Sequence, residues 1–265
     1  MELKETKIGR FMAVPDLISL LNLSFGFLSI LMAIKGQITI SAIFIIIALI
    51  FDSADGWVAR KLSRIDEHGF GKNIDSLSDI VSFGVAPGIL LYCVGNSYIG
   101  NLVINQLGTE YPLQFTQFTQ FVQFTTFSGF DYLLAIVSLL IVVCGVLRLT
   151  RFNVIADKLD FKGFVGLPIP TVGILLSSFI LSGVFNIYLA MILMVIVGFL
   201  MISNFRYSKF NNPKILILFA ILAILILIPY PFVLWGIDIP AILVFILTLI
   251  YIFSGLFNEL FSTKN

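Results

Sequence analysis

The sequence predicts an all-α membrane protein, a bundle of about eight transmembrane helices in a single domain covering residues 1–265. Hydrophobic residues make up 59% of the chain and charged residues only 12%, whereas a soluble domain carries about a quarter charged residues. Apolar runs recur at the length of about 20 residues that crosses the hydrocarbon core. This composition excludes a soluble enzyme. The formal net charge of +1 offers no basic excess for a phosphate backbone, which excludes a nucleic-acid partner.

Eight apolar segments are long enough to cross the bilayer as helices. The first is too long for a signal peptide and lacks a cleavage pattern, so it counts as a span. The predicted spans are Pro15–Ile34, Thr39–Val58, Ile74–Gly95, Tyr132–Leu149, Leu167–Ser182, Phe185–Ile202, Ile215–Phe232 and Ile239–Phe257.

The basic residues predict the orientation of these spans. With a cytoplasmic N-terminus, Lys35 is the only Lys or Arg that falls in an outside segment, and all the others fall inside. Because cytoplasmic loops are enriched in basic residues, we expect both termini in the cytoplasm and an even number of spans in the cell membrane.

One long connection, between Asn96 and Asp131, contains a phenylalanine repeat. From Phe115 to Phe130, Phe recurs every third residue among Gln and Thr. A period of three matches neither an α-helix nor a strand. We interpret residues 115–130 as an aromatic element at the membrane surface, with a ligand-binding role as the alternative.

Four aspartates mark the cytoplasmic ends of the second and third spans. Asp52 and Asp55 are three residues apart, and Asp75 and Asp79 are four apart, so each pair shares one helix face. Because the two helices are consecutive and antiparallel, both pairs lie at the same membrane depth. Carboxylates this close to hydrocarbon repel one another and lose hydration, which costs several kcal/mol each.

Divalent cations would relieve this repulsion. Hard oxygen ligands favour Mg²⁺ or Mn²⁺, with Ca²⁺ as a further candidate, and two such ions can bridge a diphosphate. Gly56 and Ala59 lie beside the first acid pair and leave a smooth strip there. The alternative is that the acids form interfacial salt bridges with Arg60, Arg64, Arg148 or Arg151.

The motifs around the acids read Asp52-x2-Asp55-Gly56-x2-Ala59-Arg60 and Gly71-x3-Asp75-x3-Asp79. Together they resemble the signature of the CDP-alcohol phosphotransferase family, although the loop from Arg60 to Gly71 is longer than usual there. Three further motifs resemble the phosphatidylserine synthase branch: the run from Asp75 to Pro87, Arg148-Leu-Thr-Arg151-Phe-Asn153 with Gly166-Leu-Pro-Ile-Pro170, and Pro15-Asp16-x2-Ser19-x2-Asn22-x3-Gly26. The resemblance covers residues 13–175, and residues 176–265 add three further predicted spans.

The resemblance implies an enzyme that transfers the phosphatidyl or archaetidyl group of a CDP-linked lipid to the hydroxyl of L-serine and releases CMP. It implies that Asp52, Asp55 and Asp75 hold a two-metal centre. Asp79 would contact the second metal and act as the general base. The family further implies a homodimer, whose site here would face the cytoplasm.

The CDP-binding candidates follow partly from the resemblance and partly from the residue types. Gly56 and Ala59 would let the nucleotide lie against the helix, and the family assigns a CDP contact to Arg60. Ser19 and Asn22 on the first span are further candidates for CDP contacts, and Asn22 suits an interhelical hydrogen bond equally well.

Arg148 and Arg151 are three residues apart on one helix face. A planar guanidinium suits bidentate binding of a carboxylate or phosphate, so we expect at least one of them to bind the serine carboxylate or the lipid-linked phosphate. The alternative is that both extend to lipid headgroups and only set topology.

Two other functions stay open at this stage. One is the same chemistry with another acceptor, such as glycerol 3-phosphate or inositol phosphate. The other is a cation-coupled transporter, which would place its acids near the bilayer midplane rather than at the cytoplasmic boundary.

Overall fold

The computed structural model describes residues 8, 11–62, 69–107, 129–155, 163–208, 213–228, 233–234 and 236–262. It is mostly helical, as the sequence predicts. Its helices are α1 (Val14–Ile34), α2 (Ile38–Lys61), α3 (Phe70–Asp79), a π-helical turn (Ile80–Val85), α4 (Ala86–Leu107), α5 (Gly129–Ile155), α6 (Pro170–Leu181), α7 (Ile187–Ile202), α8 (Pro213–Leu227) and α9 (Ile239–Ser262). Its strands are β1 (Gly163–Val165), β2 (Arg206–Ser208), β3 (Val233–Leu234) and β4 (Ile237–Asp238).

A helix occupies each of the eight predicted span positions. Within the described residues, four stretches are long and apolar enough to cross a membrane, and four are shorter apolar helices. The protein is therefore an integral membrane protein, and the count of about eight crossings stays a prediction. The four long stretches are Val14–Ile34, Ile38–Lys61, Phe70–Tyr98 and Gly129–Ile155.

Two short antiparallel sheets depart from the all-α prediction. β1 pairs with β2, with Phe164 opposite Tyr207, and β3 pairs with β4. Strands of two or three residues are too short to show the apolar alternation by which a strand is recognised in sequence. A second difference is that α4 continues to Leu107, beyond the predicted end of the third span at Gly95. The phenylalanine repeat lies outside the described residues, except for Phe130 in the first turn of α5.

α1 and α2 form an antiparallel pair that is hydrogen-bonded near both ends. Near the start of α1, the Ser19 hydroxyl donates to the Asp55 carboxylate, and towards its end the Ser29 hydroxyl donates to the Ser41 carbonyl oxygen at 2.9 Å. Between these points the ring of Phe25 stacks on that of Phe51, with centroids 5.3 Å apart. The C-terminal end of α2 is thereby fixed beside the N-terminal end of α1.

The main core lies where the π-helical turn, α4, α5 and α6 meet. Phe83, Leu90, Ile141 and Leu175 are all fully buried there. The outer surfaces of the helices are also apolar, as expected where they contact lipid chains rather than water. Examples of such exposed side chains are Phe27, Ile136, Leu139, Phe199 and Ile250.

Candidate active site

The structure brings the four predicted acids together. One carboxylate oxygen from each of Asp52, Asp55 and Asp75 lies within 4.8 Å of the others. The carboxyl group of Asp79 lies beside that of Asp52. Asp55 and Asp79 are buried, whereas Asp52 and Asp75 are half-buried, so the cluster is open on one side. The helical spacing of the two pairs predicts this convergence correctly.

One face of α1 supplies hydrogen bonds to the acids. The Ser19 hydroxyl donates to Asp55 Oδ2 at 2.6 Å, and Asn22 Nδ2 donates to Asp79 Oδ1 at 3.2 Å. Both side chains are buried and orient the carboxylates. Asn22 thus makes the interhelical hydrogen bond that was one of its two predicted roles, while the contacts of Ser19 and Asn22 with CDP stay predictions.

A fifth acid, Asp16, lies one turn before Ser19 on the same face. Its side chain is 1% exposed, it accepts a hydrogen bond from the Ala13 amide at 2.8 Å, and its charge acts on Asp55. The spacing Asp16, Ser19, Asn22 places all three on one helical stripe. This spacing therefore predicts a surface of α1 that faces the acids. Site roles were predicted only for Ser19 and Asn22 on this surface, and not for Asp16.

The helix widens into a π-helical turn immediately after Asp79. Ser82 in this turn donates to the Asn22 carbonyl oxygen at 3.0 Å. Gly26 lies against Ser82 so closely that a Cβ atom on Gly26 would overlap the serine. The turn therefore fixes α1 against the segment that carries Asp79, and such turns are frequent at functional sites.

The strip beside the first acid pair is open, as predicted. Among the described residues, a Cβ atom placed on Gly56 would meet only Arg60 Nη1, at 3.4 Å. Ala59 is half-buried and Arg60 is exposed. A planar group could therefore lie along this part of α2 with the Arg60 guanidinium beside it.

The two predicted anion-binding arginines differ in their surroundings. The Arg151 guanidinium donates to the carbonyl oxygens of Val165, Met201, Ile202 and Ser203, and to Asn204 Oδ1. It thereby ties the end of α7 to β1. Arg148 is 5% exposed, lies within electrostatic reach of Asp79 and Asp52, and has no hydrogen-bond partner for Nε among the described residues. Arg148 is thus the arginine suited to a ligand.

An apolar cavity of about 490 Å³ lies on the neighbouring face of α2. Ser53, Ala54 and Trp57 of α2 line it beside the acid pair, and α8 and α9 close the opposite side. The remaining lining residues are Ile46, Leu49, Ile50, Ile174, Phe219, Ala220, Ala223, Ile226 and Val244.

The acid cluster fits divalent cations. Oxygens that share one cation of the size of Mg²⁺ or Ca²⁺ lie at most about 4–5 Å apart, and the oxygens of Asp52, Asp55 and Asp75 meet this condition. The donors are all carboxylates, which these hard cations prefer. Without cations, four like charges would be held together in a largely buried site.

Comparison with known proteins agrees with this geometry. Residues 12–203 match the family described as CDP-alcohol phosphatidyltransferase.

The chain belongs to this family.

Similar curated proteins point to one branch of the CDP-alcohol phosphatidyltransferase family. An archaetidylserine synthase of Methanothermobacter thermautotrophicus is 42% identical over 210 residues, which cover 79% of this chain and 76% of that protein. A CDP-diacylglycerol–serine O-phosphatidyltransferase of Methanocaldococcus jannaschii is 34% identical over 225 residues, covering 84% and 88%. One of Bacillus subtilis is 30% identical over 199 residues, covering 75% and 92%.

The part of the chain that matches the CDP-alcohol phosphatidyltransferase family carries both acid pairs and both arginines. It ends at residue 203, after α7, so β2, α8 and α9 lie beyond it. These later elements nevertheless contribute to the surroundings of the acids, since α8 and α9 line the apolar cavity. No site residue is predicted in them from the sequence.

Proposed function

We propose that this enzyme transfers the phosphatidyl or archaetidyl group of a CDP-activated lipid to the hydroxyl of L-serine and releases CMP. The observation that carries the proposal is the convergence of Asp52, Asp55, Asp75 and Asp79 at the ends of two apolar helices. The relatives named as serine transferases support serine as the acceptor.

The transfer replaces one phosphoester bond by another. The serine hydroxyl oxygen forms a bond to the lipid-bearing phosphorus, and the bond from that phosphorus to the CMP oxygen breaks. Asp79 takes the proton of the serine hydroxyl as the general base. Its carboxylate is buried and oriented by Asn22 at 3.2 Å, and an oriented base makes such a proton transfer efficient.

Asp52, Asp55, Asp75 and Asp79 would hold two divalent cations, Mg²⁺ or Mn²⁺, whose charge stabilises the diphosphate oxygens as negative charge develops on them. The Ser19 hydroxyl keeps the Asp55 carboxylate in place by donating a hydrogen bond to it. Orienting groups of this kind are a regular part of metal sites.

The two ends of the CDP-lipid have different partners. We propose that the nucleotide lies on the open strip at Gly56 and Ala59 with Arg60 beside it, and that Ser19 and Asn22 adjoin it. A hydrocarbon chain of the lipid would fill the cavity next to Ser53 and Trp57. The cavity lining supports this assignment because all its residues except Ser53 have largely apolar side chains.

The acceptor would bind through Arg148. Among the described residues its buried guanidinium has no hydrogen-bond partner for Nε, and it lies within electrostatic reach of Asp79 and Asp52. Such a group suits the carboxylate of serine. Arg151, the other predicted ligand, would support the same region from its carbonyl contacts.

We further propose an arrangement in the membrane with about eight crossings, both termini in the cytoplasm and the active site at the cytoplasmic face. The distribution of basic residues supports it. The chain would act as one membrane domain and form a homodimer.

The test is CMP release by purified protein. The protein is incubated with a CDP-lipid and Mn²⁺ or Mg²⁺, and serine, inositol 1-phosphate and glycerol 3-phosphate are offered separately. We expect release with serine only, and its loss in Asp79→Asn. Release with another acceptor and none with serine would overturn the acceptor, and undiminished release by Asp79→Asn would overturn the base.

A further inference from the structure

Arg148 lies against aromatic rings from two elements. Its guanidinium carbon lies 5.2 Å from the ring centroid of Phe152, one turn further along α5, and 5.6 Å from that of Phe164 on β1. Contacts of this kind hold a guanidinium group in place while leaving its N–H donors free for an anion. A 95% buried arginine whose Nε has no partner in the described part of the chain therefore has a fixed position and an unused donor.

Further aromatic residues follow on β2 and α9. Tyr207 pairs with Phe164 across the sheet and is fully buried. Its ring lies 5.6 Å from that of Tyr251 on α9, and the charge of Arg148 acts on the Tyr251 phenol. Phe164, which contacts Arg148, thus begins an aromatic wall that continues through Tyr207 to Tyr251 on α9.

Specific packing holds this wall together. A Cβ atom on Gly255 of α9 would overlap the Tyr207 ring, so the glycine lets β2 approach α9. Burial raises the pKa of Tyr207 to about 12, and its hydroxyl donates to the Ile252 carbonyl oxygen at 3.2 Å. Tyr207 therefore acts as a neutral spacer that sets the place of Tyr251.

We propose that Tyr251 is a positioning residue that adapts Arg148 to the carboxylate of an amino-acid acceptor, so that α9 helps to determine which alcohol the enzyme uses. The inference rests on the proposed function. Tyr251 lies outside the segment that matches the family, which ends at residue 203. The acceptor site is thereby completed by an element that the family-wide segment lacks.

The surroundings of Arg148 favour an amino acid over a phosphorylated alcohol. A phosphate monoester carries close to two negative charges at neutral pH, which calls for more than one cation. The neighbouring guanidinium of Arg151 is already engaged by four carbonyl oxygens. Arg148, with the Tyr251 phenol nearby, provides one positive charge and a planar row of N–H donors. This arrangement matches a single carboxylate.

The experiment compares Tyr251→Phe with Tyr188→Phe. Tyr188→Phe is the matched control, because Tyr188 lies on α7 and packs only edge-on against Tyr98 and Phe130 among its described ring contacts. In Tyr251→Phe we expect the KM for serine to rise about tenfold, because the phenol hydroxyl within electrostatic reach of Arg148 is removed. A change of this size is typical when a polar contact near a charged group is lost. The KM for CDP-lipid and the Mn²⁺ requirement should stay within about twofold of the wild type. A rise confined to the serine KM is expected if Tyr251 positions Arg148, and is not expected if Tyr251 only stabilises the fold.

A second readout does not depend on turnover. With Mn²⁺ and CDP present, serine should raise the unfolding temperature of the wild type and of Tyr188→Phe, but raise it much less in Tyr251→Phe and Arg148→Lys. A wild type that releases no CMP with serine would overturn both the proposed function and this inference. Serine-dependent release with an unchanged serine KM in Tyr251→Phe would overturn the inference alone, as would an equal rise in both KM values.

Discussion

The hydrogen bond from Ser19 to Asp55 gives the sharpest test of the metal centre. It is 2.6 Å long, its partners are 4% and 6% exposed, and its acceptor is a carboxylate. A buried hydrogen bond to a charged group contributes about 1.5–3 kcal/mol. Ser19→Ala removes the bond and leaves the Asp55 carboxylate free to turn. Losing an orienting group of this kind lowers metal affinity about 10–100-fold.

Ser29→Ala is the matched control for this change. Ser29 lies on the same helix about 15 Å away at 1.5 Å per residue, is fully buried, and is hydrogen-bonded to the carbonyl and hydroxyl oxygens of Ser41 at 2.9 Å. Its loss should cost about 0.5–1.5 kcal/mol of stability. It should leave the metal site unchanged, because it removes no contact with an acid.

The assay is the Mn²⁺ dependence of CMP release, together with direct Mn²⁺ binding by electron paramagnetic resonance. We expect Ser19→Ala to raise the half-saturating Mn²⁺ concentration about 10–100-fold, and Ser29→Ala to leave it within about twofold. Equal shifts in both variants would mean that α1–α2 packing in general, not orientation of Asp55, controls the site. No shift in Ser19→Ala would refute the inference that the Ser19 hydrogen bond orients Asp55 for metal binding.

Three further variants test other parts of the structure. Gly26→Ala places a methyl group against Ser82 and should cost about 1–3 kcal/mol of stability and most of the CMP release; full activity at an unchanged unfolding temperature would contradict the close contact. Ala223→Phe fills the apolar cavity and should raise the KM for long-chain CDP-lipid several-fold but not that for a short-chain analogue. Equal KM changes for the two lipids would refute this role of the cavity. Arg151→Lys cannot reproduce five hydrogen bonds, so the unfolding temperature should fall by several degrees while the half-saturating Mn²⁺ concentration stays the same. An unfolding temperature equal to that of the wild type would argue against Arg151 as the tie between α7 and β1.

The acids were predictable from the sequence because their spacing alone fixes their geometry. Asp52 with Asp55 and Asp75 with Asp79 can only share helix faces, and two consecutive antiparallel helices bring those faces to one end. The hydrogen-bonding stripe of α1 was predictable in part, since Ser19 and Asn22 follow the same spacing. Asp16 lies on the same stripe of α1, but no role was predicted for it.

The surroundings of the arginines were not predictable in this way. Arg148 and Arg151 have the same local spacing, yet their surroundings differ. Arg151 donates to carbonyl oxygens of α7 and β1, whereas Arg148 lies against two aromatic rings. The difference arises from β1 and β2, whose paired residues Phe164 and Tyr207 lie 43 residues apart in the sequence. Neither strand is long enough to show a period, and no local rule links them.

The double attachment of α1 to α2 has a consequence for how a lipid reaches the cavity. Hydrogen bonds near both ends make these two helices a single stiff body, so the cavity wall on α2 cannot move without disturbing the acids. The opposite wall is α8, which packs against α9 and α2 through aliphatic side chains such as Leu222 and Ile226. We therefore expect α8 to be the helix that moves. Its displacement towards the bilayer would admit a hydrocarbon chain to the cavity, while the carboxylates of the acid cluster keep their positions.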